Sequence, residues 1–345
     1  MARGSRSVLA LLVAGALAAC GGGGTSTTPP PTPTPTPVPT APPPPSTTLW
    51  VTGGSTLMRL SNYHSEVDVF PLGASGNANP ARQIRVGQSL GIFPTSIAVD
   101  DLGNAYMSVI PRLFQVTSPA SCGNGCPGSG TSFGQTDAGA AWGIALDSAR
   151  CVYVSAGTAI EVFSGTIQGG YAKVATIPNG STNGVAGIAF DGSGNLYAID
   201  SNSFDANNTV APTIAIFHGA TCGGQTFQSA IGGANTQLQL PAQIAFDAAG
   251  SLYVTDSAAK AVFVYAPGAT GNVAPIRTIA GSNTGFQRPW GVAVDTFGVL
   301  HVSDQTANAV FDFPPGANGN VAPSNILTGP PGDQGFNGPL GITTH

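Results

Sequence analysis

A repeat constrains this chain more than any other feature. Two short apolar segments joined by a turn recur as SIAVDDLGNAYMSV from Ser96, GIALDSARCVYVSA from Gly143, GIAFDGSGNLYAID from Gly187, QIAFDAAGSLYVTD from Gln243 and GVAVDTFGVLHVSD from Gly291. The aspartates that end the first segments, Asp100, Asp147, Asp191, Asp247 and Asp295, stand 44 to 56 residues apart. Asp-x-x-Gly between two alternating apolar runs is a tight-hairpin signal, and only the second copy departs from it, with Arg150 at the glycine position. A third apolar segment follows as VDVF from Val67, AIEVF from Ala159, IAIF from Ile214, VFVY from Val262 and VFDF from Val310. Three copies then carry a trailing motif, FPLGASGNANPARQI from Phe70, YAPGATGNVAPIRTI from Tyr265 and FPPGANGNVAPSNIL from Phe313. Four strands per unit of about fifty residues describe the blade of a β-propeller.

The Gly-Ile-Ala-Phe-Asp and Leu-Tyr-Val-Thr-Asp types of segment, with Pro241 and Pro289 ahead of two of the first strands, resemble NHL repeats over essentially everything from Leu49 onward. That resemblance implies an all-β, six-bladed propeller of four-stranded blades. The two ends supply the sixth blade: GPLGITTH is a first strand lacking its partner, and LWVTGG is a second strand lacking its predecessor. Pairing Ile342-Thr343-Thr344 with Leu49-Trp50-Val51 closes the ring and leaves no exposed closure edge. Residues 49–345 are therefore expected to form one domain.

Residues 1–48 read differently. Arg3 and Arg6 precede an apolar run from Val8 to Ala19, after which come Cys20 and four glycines. The run is shorter than the roughly 20 residues of a spanning helix, so it reads as an export signal, residues 1–19. Leu17-Ala18-Ala19-Cys20 resembles the bacterial lipobox, which implies cleavage before Cys20 and lipidation of its thiol with diacylglycerol and an amide-linked acyl chain. Several acyl chains, each contributing about 0.8 kcal/mol per buried methylene, hold a protein on a bilayer without crossing it. Residues 20–48 are then the lipidated cysteine and a Pro/Thr-rich tether, stiff polyproline II of about 3.1 Å per residue. Gly21 after the cysteine implies the outer membrane in a diderm cell and the outer surface in a single-membrane one.

Charged residues make up only 8% of the chain, and without Arg3 and Arg6 the balance is 9 basic against 16 acidic side chains, so nothing suits nucleic acid. In an oxidising compartment Cys122 and Cys126 of CGNGC are expected to form a local disulfide, with metal binding as the rival; Cys151 and Cys222 remain as a second pair.

In the family that the repeats resemble, the first strand lines the channel, and the residues before it share a ligand-binding face with the turn between the second and third strands. That places Thr95, Trp142, Ala186, Ala242, Trp290 and Leu340 in one ring, with Ser96 and Gln243 where other blades have glycine. Trp142 and Trp290 offer flat stacking area to a ligand, or else plug the channel mouth. Asp200, Asp256 and Asp304 on successive blades offer three carboxylates to calcium, or else start turns; without such an ion no cofactor is expected. The four histidines share no channel position, Glu161 lies on a third strand, and no Gly-x-Ser-x-Gly elbow occurs. Propeller lactonases and lyases that resemble this fold use a metal-binding carboxylate set or a His and Glu pair, for which there is no match. The favoured expectation is a non-enzymatic binding or scaffolding module, anchored to the envelope membrane, for a protein, peptide or glycan. The alternative is a metal-assisted lyase or lactonase acting on a small molecule in the channel.

Overall fold

The computed structural model describes residues 48–54, 64–88, 94–109, 112–116, 131–136, 141–166, 170–179, 184–201, 211–329, 336 and 338–345. The chain divides into two units, Met1–Pro42 and Pro43–His345, and every described residue belongs to the second. The export signal, Cys20, most of the tether, Cys122 and Cys126 lie outside the described residues.

Sheet I begins with β1 (Thr48–Gly54), β2 (His64–Pro71) and β3 (Arg82–Gln88). Sheet II contains β4 (Ser96–Val99), β5 (Ala105–Val109), β6 (Arg112–Val116) and β7 (Thr131–Gln135), and sheet III contains β8 (Ile144–Leu146), β9 (Val152–Ala156), β10 (Ala159–Thr166) and β11 (Gly170–Pro178). Sheet IV contains β12 (Val185–Phe190), β13 (Leu196–Asp200), β14 (Thr213–Ala220) and β15 (Gly224–Gly232). Sheet V contains β16 (Pro241–Phe246), β17 (Leu252–Asp256), β18 (Ala261–Tyr265) and β19 (Arg277–Ala280). Sheet VI contains β20 (Pro289–Val294), β21 (Leu300–Asp304), β22 (Ala309–Phe313) and β23 (Asn325–Leu327). Finally β24 (Ile342–Thr344) returns to sheet I, pairing Ile342 with Val51, Trp50 with Thr343 and Leu49 with Thr344. The described strands thus form six four-stranded antiparallel sheets, the arrangement of an all-β propeller with four-stranded blades. The innermost strands meet in cyclic order, β4 to β8, β12, β16, β20, β24 and back to β4.

Each inner hairpin turns as its sequence requires. In the first copy the Asp100 carboxylate accepts the amides of Leu102 and Asn104, and Gly103 takes φ +79° to close the turn. Arg150 adopts φ 61° at the equivalent point and pairs with Asp101 at 2.8 Å. Six residues after four of these aspartates comes a buried side chain that reaches back to the carboxylate: Tyr106 to Asp100 at 3.2 Å, Tyr153 to Asp147 at 3.0 Å, Tyr253 to Asp247 at 3.2 Å and His301 to Asp295 at 3.4 Å.

The hydrophobic core is divided into wedges between neighbouring sheets, not gathered into one mass. Tyr153, Ile160, Leu196 and Phe217 fill the wedge between sheets III and IV; Tyr197, Ile214, Val254 and Tyr265 fill the next one. A middle strand has a wedge on either side, which is why β17, β18, β21 and β22 are buried along their whole length and read as unbroken apolar runs.

Where wedges narrow toward the axis, backbones touch. A Cβ on Gly143 would lie 2.6 Å from the Ala186 carbonyl oxygen, and one on Gly187 would lie 2.6 Å from the Gln243 Cα, so the first strand of these sheets needs glycine. A hydroxyl on the second strand sews this ring together. The Thr52 hydroxyl accepts the Gly341 amide at 2.7 Å and donates to the Pro94 carbonyl at 3.0 Å; that of Ser303 accepts the Gly291 amide at 2.9 Å and donates to the Leu340 carbonyl at 2.7 Å.

Outer edges are joined by the trailing Gly-Asn motif. Asn272 in sheet V accepts the Asn235 amide behind sheet IV at 2.8 Å, and Asn320 in sheet VI accepts the Asn283 amide behind sheet V at 2.7 Å. Sheets III and IV are joined instead by a Cys151–Cys222 disulfide, which settles that pairing.

Candidate functional site

Sheets III and VI stand opposite one another in the cyclic order, and each places a tryptophan at the start of its innermost segment, Trp142 just ahead of β8 and Trp290 as the second residue of β20. The two indoles meet over the channel, with Trp142 and Trp290 ring centroids 5.8 Å apart and planes tilted by 54°. Both rings are partly buried. The dull and the functional expectations therefore both have a structural counterpart: the pair spans the mouth, and its rings remain partly accessible there.

The backbone around each indole is tied down. Trp142 donates its amide to the Ser155 hydroxyl at 3.0 Å, and its carbonyl accepts the Gln243 side-chain amide at 2.6 Å. The Trp290 carbonyl accepts the Thr255 hydroxyl. Gln243 reaches Trp142 from sheet V by passing Gly187 of sheet IV, whose missing side chain leaves the space it occupies. Gln243 and Ser96 are both buried and line the channel, so they support the mouth from within, whereas the tryptophans present ring surface at it.

The three aspartates of the sequence-derived carboxylate set are differently placed. Asp256 and Asp304 are fully buried. Asp256 accepts the amides of Gln239, Leu240 and Ala259 at 2.7 to 3.1 Å, and Asp304 accepts those of Gln287, Arg288, Thr306 and Ala307 at 2.7 to 3.0 Å. Each carboxylate thus fixes the segment that approaches the first strand of its own sheet as well as the turn that follows. Asp200 is partly exposed, at the end of β13 opposite Val185. Among the described residues, the His/Cys/Asp/Glu group close enough to share an ion is Asp147, Cys151 and Cys222, in which the two sulfurs are bonded to each other.

Between and beside the indoles lies a mostly apolar recess of about 140 Å³, walled by Trp142, Ala186, Leu240, Pro241, Ala242, Ser257 and Trp290, with Arg288 at its rim. The Arg288 guanidinium is 5.6 Å from the Trp290 ring centroid, a cation–π distance. The channel beneath has a volume of about 300 Å³ and, among the described residues that line it, no ionisable side chain. On the opposite face a concavity of about 610 Å³ is bordered by Asp100, Asp147 and Asp191. Their carboxylates accept hairpin amides, as Asp147 does from Ala149 and Cys151 at 2.9 Å.

Burial and paired carboxylates also create a charged site away from the mouth. His301 is held between Asp312, 2.7 Å from Nδ1, and Asp295, 3.4 Å from Nε2. Burial opposes its charge, but the two carboxylates outweigh that cost and push its pKa up to about 9. His301 stands where sheets II to V have tyrosine and sheet I has Trp50, so it replaces a neutral repeat contact with an ionic one.

Several of these residues were missed in the sequence: the hydroxyls of Thr52, Thr255 and Ser303, and Arg288. A signal was present for the hydroxyls, since Ser or Thr recurs at the fourth position of the second strand in LWVT, LYVT and LHVS. Arg288 occupies the repeat position that Leu240 holds in sheet V, so only its place beside Trp290 marks its side chain.

No family model matches the chain, and no curated protein matches it. Among solved structures it is similar to a streptogramin B lyase, at 14% identity and TM-score 0.44 over 64% of this chain, of which it spans 65% of the length. It is similar to virginiamycin B lyase from Staphylococcus aureus at 16% identity and TM-score 0.43, over 64% of this chain and 66% of that one. A protein of unknown function from Bacteroides caccae matches over 87% of this chain and 99% of that one, at 11% identity and TM-score 0.53, a likeness of fold alone.

Proposed function

We propose that this is a six-bladed, NHL-type propeller, lipid-anchored at Cys20 to the cell envelope, that works as a binding or scaffolding module through the Trp142–Trp290 mouth. The six sheets, the cyclic order of their inner strands and the β1–β24 pairing support the ring. The observation that carries the binding role is the indole pair itself: two partly accessible aromatic rings, brought from opposite sheets to 5.8 Å, beside a preformed apolar recess. Rigid aromatic side chains of this kind give large contact area with little ordering cost. Lyase or lactonase chemistry would need acid–base or metal-binding groups at the channel. The described channel lining carries none, and Asp256 and Asp304 are committed to backbone amides.

Two measurements test this reading. Replacing Cys20 with Ser should move the protein from the membrane fraction to the soluble fraction of the cell that makes it. Peptide and glycan arrays probed with the full chain and with Trp142→Ala and Trp290→Ala should yield ligands that both variants bind at least about tenfold more weakly. Ligands bound equally by all three proteins would rule the mouth out.

A further inference from the structure

Within that reading of the mouth, on which this inference rests, the recess also indicates the chemistry of its ligand. Its volume of about 140 Å³ is close to that of an engineered apolar cavity of about 150 Å³ known to admit benzene, so it accommodates one phenyl or branched alkyl group and little more. Its walls select against a sugar. A hexose pressed against Ala186, Leu240, Pro241 and Ala242 would find the Ser257 hydroxyl, which already donates to the Leu240 carbonyl at 3.2 Å, and the indole N–H groups as its polar partners, too few for its several hydroxyls.

The rim adds a charge. Arg288 is exposed, and among the described residues its guanidinium makes no ion pair, whereas Arg150 and Lys173 are paired with Asp101 and Glu161. Its backbone is anchored, because the Arg288 amide donates to both Asp304 carboxylate oxygens at 2.9 and 3.0 Å. A guanidinium stacked near an indole keeps its forked donors free for a carboxylate, the geometry for which arginine is suited. The same stack places that charge next to the apolar hole.

We infer that the Trp142–Trp290 recess binds a single aryl or branched alkyl group whose carboxylate lies within reach of Arg288, as in an arylalkanoic acid or the C-terminal residue of a peptide. Sheet III contributes Trp142, sheet IV Ala186, sheet V Pro241 and Ala242, and sheet VI Arg288 and Trp290. The site therefore needs four consecutive sheets held together.

The test uses the full chain, tryptophan fluorescence with calorimetry, and three probes: 3-phenylpropionate, its neutral amide and methyl glucoside. For an acid of this size the expected dissociation constant is about 1 mM or lower, with the amide about tenfold weaker and the glucoside without saturable binding. In Arg288→Met, a change at an exposed side chain, the preference for acid over amide should disappear, while Trp290→Ala should weaken both probes. Equal binding of acid and amide by the unaltered protein, or a preference that survives in Arg288→Met, overturns the inference. Glucoside binding that depends on Trp142 and Trp290, without binding of the acid, overturns the ligand class and keeps the mouth. Probe binding insensitive to both tryptophans overturns the two together.

Discussion

Converting Cys151 and Cys222 together to serine should remove the covalent link between sheets III and IV. The disulfide joins residues 71 positions apart, and a loop of that length gives about 4 kcal/mol at 25 °C in the chain-entropy treatment. That is a large share of the roughly 5–15 kcal/mol that holds a folded domain. Nearby hydrogen bonds do not depend on the sulfurs: the Cys222 amide to Asp147 at 2.7 Å and the Gly223 amide to Tyr153 at 2.7 Å remain available to the variant. The expected loss is therefore about 2–4 kcal/mol, read from guanidinium unfolding of oxidised wild type and the double variant side by side. Hydrogen exchange should accelerate in β10–β11 and β14–β15 and leave β18–β22 unchanged, because Asn272 and Asn320 join those sheets independently. A loss below about 1 kcal/mol, or exchange that rises evenly around the ring, would refute the view that this crosslink replaces the Gly-Asn latch between these two sheets.

Gly291→Ala should destabilise the ring by about 3 kcal/mol in thermal or denaturant unfolding, because the added Cβ runs into the Leu340 carbonyl oxygen of the next sheet; unchanged stability would contradict the backbone contact. His301 has a folded pKa raised to about 9, so its contribution should be complete below the unfolded value near 6.5 and be lost as pH rises through about 9. His301→Gln should flatten that alkaline decline, and an unaltered pH–stability curve would show that Asp295 and Asp312 do not hold a charge there. Calcium titration should give no stoichiometric heat. The triple variant Asp200→Asn, Asp256→Asn, Asp304→Asn should lose stability through the amides of Gln239, Leu240, Gln287 and Arg288; an ion bound by wild type and lost in the variant would return those carboxylates to metal binding.

The repeat alone determined the strand order within each sheet, the hairpin at each Asp-x-x-Gly and the pairing of Ile342-Thr343-Thr344 with Leu49-Trp50-Val51. These follow from contacts near in sequence or from the missing halves of a periodic unit, and periodicity records both. Tertiary structure decided the rest. Trp142 and Trp290 are 148 positions apart, yet they meet because a closed ring sets sheets III and VI opposite each other. Asp256 and Asp304 read in the sequence as calcium ligands or as turn starters, and they do bind the amides of the turn that follows. Folding brings amides 16 and 17 residues earlier onto them and uses the charge to shape the mouth. Gln243 and Ser96 look like polar additions to a ligand face, but the glycine-width spacing of the inner strands draws both inside. Arg288 acquires its meaning only where four sheets converge, since a recess is a property of neighbours in space and no linear pattern records it.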